Sequence, residues 1–275
     1  MEYITTVHLN AVSPEREEEF NNWYTFVHFR DVLNMPGHIA AQRFCRSEYQ
    51  PAVYDETYKY YTFYELRSKQ RSTLSHQERV MSWQMYISSA MDLSNYKESY
   101  WDHVCGNVPY ASYASHGHDQ SVLVALIAPK DGVKVESVFT EEAVLKLAEM
   151  DGVLAANLYR FGTDQMPKQS AAPEPNTHQL VLQLADARRG CASWDAFIAE
   201  LPGYDGVIAA VCNYTAVMPR ITEAWPTYQD RAIAALSHLV VSLPGFYAGQ
   251  GYSKCTDILS PGIKKGLEAL NAKES

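Results

Sequence analysis

Asn34-Met35-Pro36-Gly37-His38-Ile39-Ala40-Ala41-Gln42-Arg43-Phe44 returns further along the chain as Glu149-Met150-Asp151-Gly152-Val153-Leu154-Ala155-Ala156-Asn157-Leu158-Tyr159, at a spacing of roughly 110–115 residues. In each copy a turn (Pro36-Gly37, then Asp151-Gly152) separates a run with helical spacing from a strand-like run. A helix-to-strand turn met twice points to a duplicated unit. A third echo, Ser242 to Gln250, follows a helical pattern that starts near Pro226.

Outward from the first copy, Tyr3 to Asn10 reads as a strand. Ser13-Pro14-Glu15 then opens a helix, with Ser as N-cap, Pro at the first position and acids near the positive end of the dipole. That helix runs to about Leu33. Ile39–Arg46 and Tyr58–Leu66 read as strands, Ser72–Met91 as a second helix and Tyr96–Val104 as a fourth strand. The order β-α-β-β-α-β is the ferredoxin-like unit. Around the second copy the expected elements are a strand over Ser121–Ala128, a helix over Glu136–Met150, strands over Val153–Phe161 and Gln179–Leu184, a short helix opened by Ser193-Trp194-Asp195, and a strand over Val207–Val217. The chain therefore reads as an α+β protein. Its first ferredoxin-like repeat spans 1–105 and a linker 106–120. A second, degenerate repeat spans 121–220, and a helix-strand extension 221–275. One such unit leaves a sheet face bare, and two sheets packed face to face close a barrel-like core with a cavity between them.

Bulk properties narrow the function. The chain has 275 residues, 47% hydrophobic and 20% charged, with net charge −9; no basic patch suits nucleic acid. The apolar runs are too short to span a bilayer, and no signal peptide opens the chain, so no membrane partner is expected. Five cysteines, none in a C-x-x-C pair, read as reduced thiols in a cytoplasm. His116-Gly117-His118-Asp119 falls in the linker, and no metal site is expected from it. No dinucleotide, P-loop or nucleophile-elbow motif is present in the sequence, and no cofactor is expected.

Chemistry concentrates in Phe20-Asn21-Asn22-Trp23-Tyr24-Thr25-Phe26-Val27-His28-Phe29-Arg30-Asp31-Val32. On a helix at about 100° per residue, Tyr24, His28 and Asp31 fall within about 60° of one another, beside the inward stripe of Phe20, Trp23 and Val27. Asp31 is then placed to accept a proton from the His28 ring, fixing its tautomer and raising its basicity. Tyr24 is placed to donate to a developing oxyanion. These three are the candidate catalytic residues, although the same geometry also serves a helix-end histidine that Asp31 merely satisfies. Trp23, His8, Tyr61, Trp83 and Tyr86 are the candidate substrate-binding residues. Of 19 tyrosines, 13 precede Gln120, with Tyr58, Tyr60, Tyr61 and Tyr64 on one strand. Tyrosines suit a cavity for an oxygenated apolar molecule, and equally a solvent-facing sheet; the alternation leaves open which strand face turns inward. His38, after the Pro-Gly turn, is expected at the rim. At the same spacing, the second copy has Ala143 for His28 and Val138 for Trp23, which places any active site in the first repeat.

The pattern Phe-x-x-Trp-Tyr-x-x-x-His-x-x-Asp-Val-x-x-x-Pro-Gly over Phe20–Gly37 resembles the EthD-like branch of the dimeric α+β barrel superfamily. The resemblance covers about 40 residues in detail and the rest as architecture. It implies a pocket between sheet and helices with His28 pointing into it and Trp23 and Tyr24 beside it. The superfamily holds many chemistries, so reaction type does not follow from fold. The expectation is a cofactor-free acid–base enzyme of lyase, cyclase, isomerase or dehydratase type, acting on a small, largely apolar oxygenated molecule. A cofactor-independent monooxygenase or a non-catalytic carrier of apolar metabolites would need the same pocket. An exposed sheet edge or helix leaves a homodimer open.

Overall fold

The computed structural model describes residues 3–33, 38–66, 86–107, 121–130, 132–162, 176–218 and 220–222. The strands are β1 (Tyr3–Leu9), β2 (His38–Arg46), β3 (Tyr60–Leu66), β4 (Lys97–Gly106), β5 (Ser121–Pro129), β6 (Val153–Phe161), β7 (His178–Leu184), β8 (Val207–Ala216) and the short β9 (Ile221–Thr222). Every pairing is antiparallel. In the first half the hydrogen-bonded order is β4-β1-β3-β2; in the second it is β8-β5-β7-β6. β4 then pairs with β6 and β8 with β2, so eight strands form a closed ring. β9 extends alongside β2 at Ala40 and Ala41.

The two halves match in strand length as well as order. β2 and β6 are both 9 residues, β3 and β7 both 7, β4 and β8 both 10. Alternate residues of a strand point to opposite faces, and here both faces are buried. Ile4, Phe44, Tyr61, Phe63, Trp101, Tyr159 and Tyr214 belong to the cluster that fills the ring interior from both halves. Within it Trp101 Nε1 donates to Thr6 Oγ1 (2.7 Å), Thr6 Oγ1 donates to Gln179 Oε1 (3.1 Å), and Gln179 Nε2 donates to the Tyr61 hydroxyl (2.9 Å). This chain of bonds ties β7 of the second half to β1, β3 and β4 of the first. At another interior position Arg220 grips the fully buried Glu65 with two bonds of 2.6 and 2.5 Å.

Helices cover the outer faces. In the second half α3 (Val135–Val138), α4 (Glu141–Ala148) and α5 (Ala187–Glu200) bury Val144, Leu147, Trp194 and Phe197 against Leu123, Leu158, Leu180 and Leu182. Thr140 and Asp186 cap α4 and α5, each accepting from a backbone N–H three residues on. The Asp186 cap starts α5 before the Ser193-Trp194-Asp195 stretch expected to open it, because those residues are mid-helix and Trp194 faces the core. Gly152 supplies the turn into β6 at φ +77°, where a Cβ would meet Gly190 N at 2.6 Å.

In the first half a 3-10 turn (Pro14–Arg16), α1 (Glu17–Trp23), a π turn (Tyr24–His28) and α2 (Phe29–Leu33) follow one another without a break. Ser13 has the extended backbone of an N-cap but makes no capping bond. The second helix expected over Ser72–Met91 does not reach its C-terminal part: residues 86–90 are irregular and Met91 bridges Ala11. Residues 72–85 lie outside the described residues, as do the body of the expected linker (108–120) and the extension from 223 on. Gly106, expected to begin the linker, ends β4 opposite Asn157.

Candidate functional site

The first-half helix presses Phe20, Trp23, Tyr24, Val27, Phe29 and Val32 onto the outer face of β1, β2 and β3. Trp23 anchors the layer, fully buried, its Nε1 donating to the Tyr86 carbonyl at 3.0 Å while the Tyr86 ring meets it edge-on at 6.4 Å. The π turn that follows has its own signature, the Phe29 N–H bonding back five residues to the Tyr24 carbonyl. The extra residue in the turn lets His28 lie over Trp23, five positions earlier, with ring centroids 4.9 Å apart. It also lets His28 meet Tyr24 edge-on at 5.0 Å.

The sheet contributes the other wall, and alternation decides which residues take part. On β3, Tyr61 and Phe63 face the ring interior, whereas Tyr60 and Tyr64 face the helix. On β2, Phe44 faces in and Ala41 out, which sends Arg43 to the helix side. Arg43 is 1% exposed. Its guanidinium carbon lies 5.2, 4.8 and 4.7 Å from the ring centroids of Phe20, Tyr24 and Tyr60. One terminal nitrogen donates to Asn21 Oδ1 (2.6 Å) and the other to Thr25 Oγ1 (2.9 Å), while Nε is buried with no hydrogen-bond partner among the described residues. Asn21 Nδ2 continues to the Tyr60 hydroxyl (2.8 Å), which in turn donates to Glu17, itself paired with Lys59 at 2.5 Å. The hydroxyls of Tyr24 and Tyr64 are 3.4 Å apart.

Electrostatics follow from this burial. His28 is pushed down to about 4, first by burial and then by the Arg43 charge, so its ring is neutral at pH 7. Burial pushes the Asp31 carboxyl up to about 7. It raises the phenols of Tyr24 and Tyr64 above the ordinary tyrosine value, keeping both as hydrogen-bond donors. The bond expected from His28 to Asp31 is not formed. Nδ1 of His28 is buried with no hydrogen-bond partner among the described residues, and nothing acidic raises the ring's pKa.

The candidate residues thus divide between two layers. Tyr24, His28, Trp23 and Tyr86 come together on the helix side, with Asp31 one turn further along α2. His8 and Tyr61 sit on the opposite face of the sheet, in the ring interior, their rings 4.9 Å apart, so the sheet separates the two sets. Trp83 lies outside the described residues. His38, expected at the rim, is 2% exposed and packs edge-on against Tyr64 at 5.8 Å. Among the described residues no group of three or more His, Cys, Asp or Glu is placed to hold a metal ion.

Arg43 and Asn21 carry no mark in the sequence reading, and Tyr60 and Tyr64 enter it only as part of the tyrosine-rich strand whose inward face alternation leaves open. A signal for Arg43 existed: it aligns with Leu158 in the second copy, and Leu158 is core. By matched position in β3 and β7, Thr62 and Tyr64 correspond to Leu180 and Leu182, also core. The helix-side layer is hydrocarbon in the second half at positions where the first holds a cation and hydroxyls.

No family model matches the chain, and no curated protein matches it. Solved structures give loose likenesses. An anthrone oxidase-like protein aligns with TM-score 0.46 and 11% identity over 81% of this chain and 94% of its own. A proposed monooxygenase from Fusobacterium nucleatum aligns with TM-score 0.47 and 10% identity over 79% and 93%. A proposed chlorite dismutase aligns with TM-score 0.44 and 10% identity over 80% and 96%. Scores of this size leave the chemistry to be read from the side chains of this chain alone.

Proposed function

We propose that the chain is a fused pair of ferredoxin-like units, of the EthD-like dimeric α+β barrel kind. Its first half is a cofactor-free acid–base enzyme for a small, largely apolar oxygenated molecule. One observation carries the reading: the helix-side layer of the first half holds Tyr24, His28, Arg43 and Tyr64 where the second half holds plain core. Matching strand orders and lengths support the duplication.

The roles follow from the shifted acidities. Asp31, titrating near 7, is matched to exchange a proton at neutral pH. It takes the proton from a carbon next to a carbonyl, and the carbonyl oxygen becomes an enolate oxygen that Tyr24 holds by hydrogen bond. His28, neutral and set between Trp23 and Tyr24, positions the oxygen rather than acting as the base. Returning the proton at a second atom gives isomerisation, attack of the enolate carbon on a second carbonyl gives cyclisation, and loss of a β-hydroxyl as water gives dehydration. In the lyase outcome the base takes the proton of a β-hydroxyl, the carbon–carbon bond breaks to leave the enolate that Tyr24 holds, and the proton returns to its carbon. The free cysteines Cys45, Cys105, Cys191 and Cys212 suit a reducing cytoplasm. Among the described residues no helix is long and apolar enough to cross a membrane.

The test is hydrogen exchange. A panel of aromatic ketones and polyketide-like diketones is incubated with the protein in D₂O and followed by NMR. Enzyme-dependent deuteration next to the carbonyl, lost in Asp31→Asn and reduced in His28→Ala, is expected. Oxygen uptake during turnover would replace the reading with oxygen transfer, and ligand binding without exchange would make the protein a carrier.

A further inference from the structure

We propose that the molecule bound in this layer carries an anionic oxygen, a carboxylate or an acidic enol or phenol, and that Arg43 receives it; the inference rests on the reading of the layer as a small-molecule site. Two buried arginines in the structure are treated differently. Arg220, its side chain 6% exposed, is neutralised by two bonds to the buried Glu65. Arg43, 1% exposed, has no such partner: among the described residues no carboxylate is in ion-pair contact with it, and its terminal nitrogens bond only the neutral oxygens of Asn21 and Thr25. The nearest compensating charge along the bonded chain, Glu17, is reached through Asn21 and Tyr60 and is itself held by Lys59. A guanidinium taken out of water needs a counter-charge and a partner for each N–H. Nε has none.

The three rings around Arg43 attract a cation and exclude water, but they add no negative charge. Packing alone does not call for the charge, because the second half fills the matching position with Leu158. A planar guanidinium whose Nε–H is unfilled, among phenols that stay protonated, is suited to an organic anion. The aromatic walls suit the apolar body of the same molecule.

The experiment compares aromatic carboxylates with their neutral amides, beginning with 2-naphthoate and 2-naphthamide, by calorimetry on the full chain at pH 7.5. The expected result is an affinity at least about tenfold higher for the acids, a gap that closes in Arg43→Leu while amide binding persists. Equal affinity for acid and amide in the wild type would overturn the proposal and leave the layer as a site for neutral molecules. Failure of every acid and amide to bind would overturn it together with the small-molecule reading. Should Arg43→Leu not fold, the wild type still decides. Saturating 2-naphthoate should move the Arg43 Nε–H resonance, assigned through Arg43→Lys, and an unmoved resonance at saturation rules the contact out.

Discussion

The guanidinium of Arg43, on β2, lies 4.8 Å from the centre of the Tyr24 ring, on the helix, and its charge reaches the next ring along, His28. Burial is the larger cause of His28's low pKa and Arg43 the second. Arg43→Leu should therefore raise the His28 value from about 4 toward, but not up to, the ordinary 6.5. A proton-NMR titration of the ring C–H signals reads this directly; an unchanged value would assign the whole shift to burial.

His28 and Asp31 should bend the stability–pH curve in opposite directions. For His28 the folded value is depressed to about 4, so its contribution is present above pH 6.5 and is lost as pH falls through 4. For Asp31 the folded value is raised from 3.8 to about 7, so its contribution is present below pH 3.8 and is lost as pH rises through 7. The spans correspond to roughly 3 and 4 kcal/mol, which largely offset each other in the wild type. Relative to wild type, Asp31→Asn should gain stability between pH 4 and 7.5, and His28→Phe should gain it on acidification over the same range. Urea melts at four pH values would show the two slopes, and slopes of equal sign would contradict the assignment.

Gln179→Leu should destabilise without touching the candidate site. It strips the Thr6 hydroxyl of its acceptor and the Tyr61 hydroxyl of a donor, both inside the ring. Each lost bond costs about 0.5–1.5 kcal/mol, the Thr6 hydroxyl keeping its bond from Trp101. A lower urea midpoint with unchanged ligand affinity is expected; weakened affinity would mean the interior and the helix-side layer are coupled.

Arg220→Met should be more damaging than Glu65→Gln. The first leaves a carboxylate with no exposure and no cation, where burial already pushes its pKa up. Losing one partner of a buried pair costs about 3–5 kcal/mol. The loss should ease on acidification, as Glu65 takes a proton, and thermal melts at pH 5 and 8 would detect this.

Much of the strand plan could be read from alternation and turn signals: β6 was bounded correctly at both ends, and the Asp151-Gly152 turn predicted where it begins. Helix limits were read less well. Asp186 caps α5 seven residues before the Ser-Trp-Asp stretch that looked like its start, because capping depends on a backbone bond that composition alone does not reveal. In the site, the Tyr24–His28 contact was legible from i, i+4 spacing. The His28–Asp31 pairing, equally suggested by spacing, is not formed, because the partner a buried side chain meets is set by packing that spacing does not reveal. Period-2 alternation separated Tyr60 and Tyr64 from Tyr61, but which set met the helix depended on strands far away in sequence.

Closing the ring within one polypeptide has an evolutionary and a stoichiometric consequence. When identical subunits build a barrel, a substitution that reshapes one copy reshapes the other. Here β1–β4 and β5–β8 are free to differ, as they do at the matched positions Arg43 and Leu158. On the reading proposed above, the first-half layer is the ligand site among the described residues, so a titration should saturate at one equivalent per chain along a simple hyperbola, without cooperativity between twin sites.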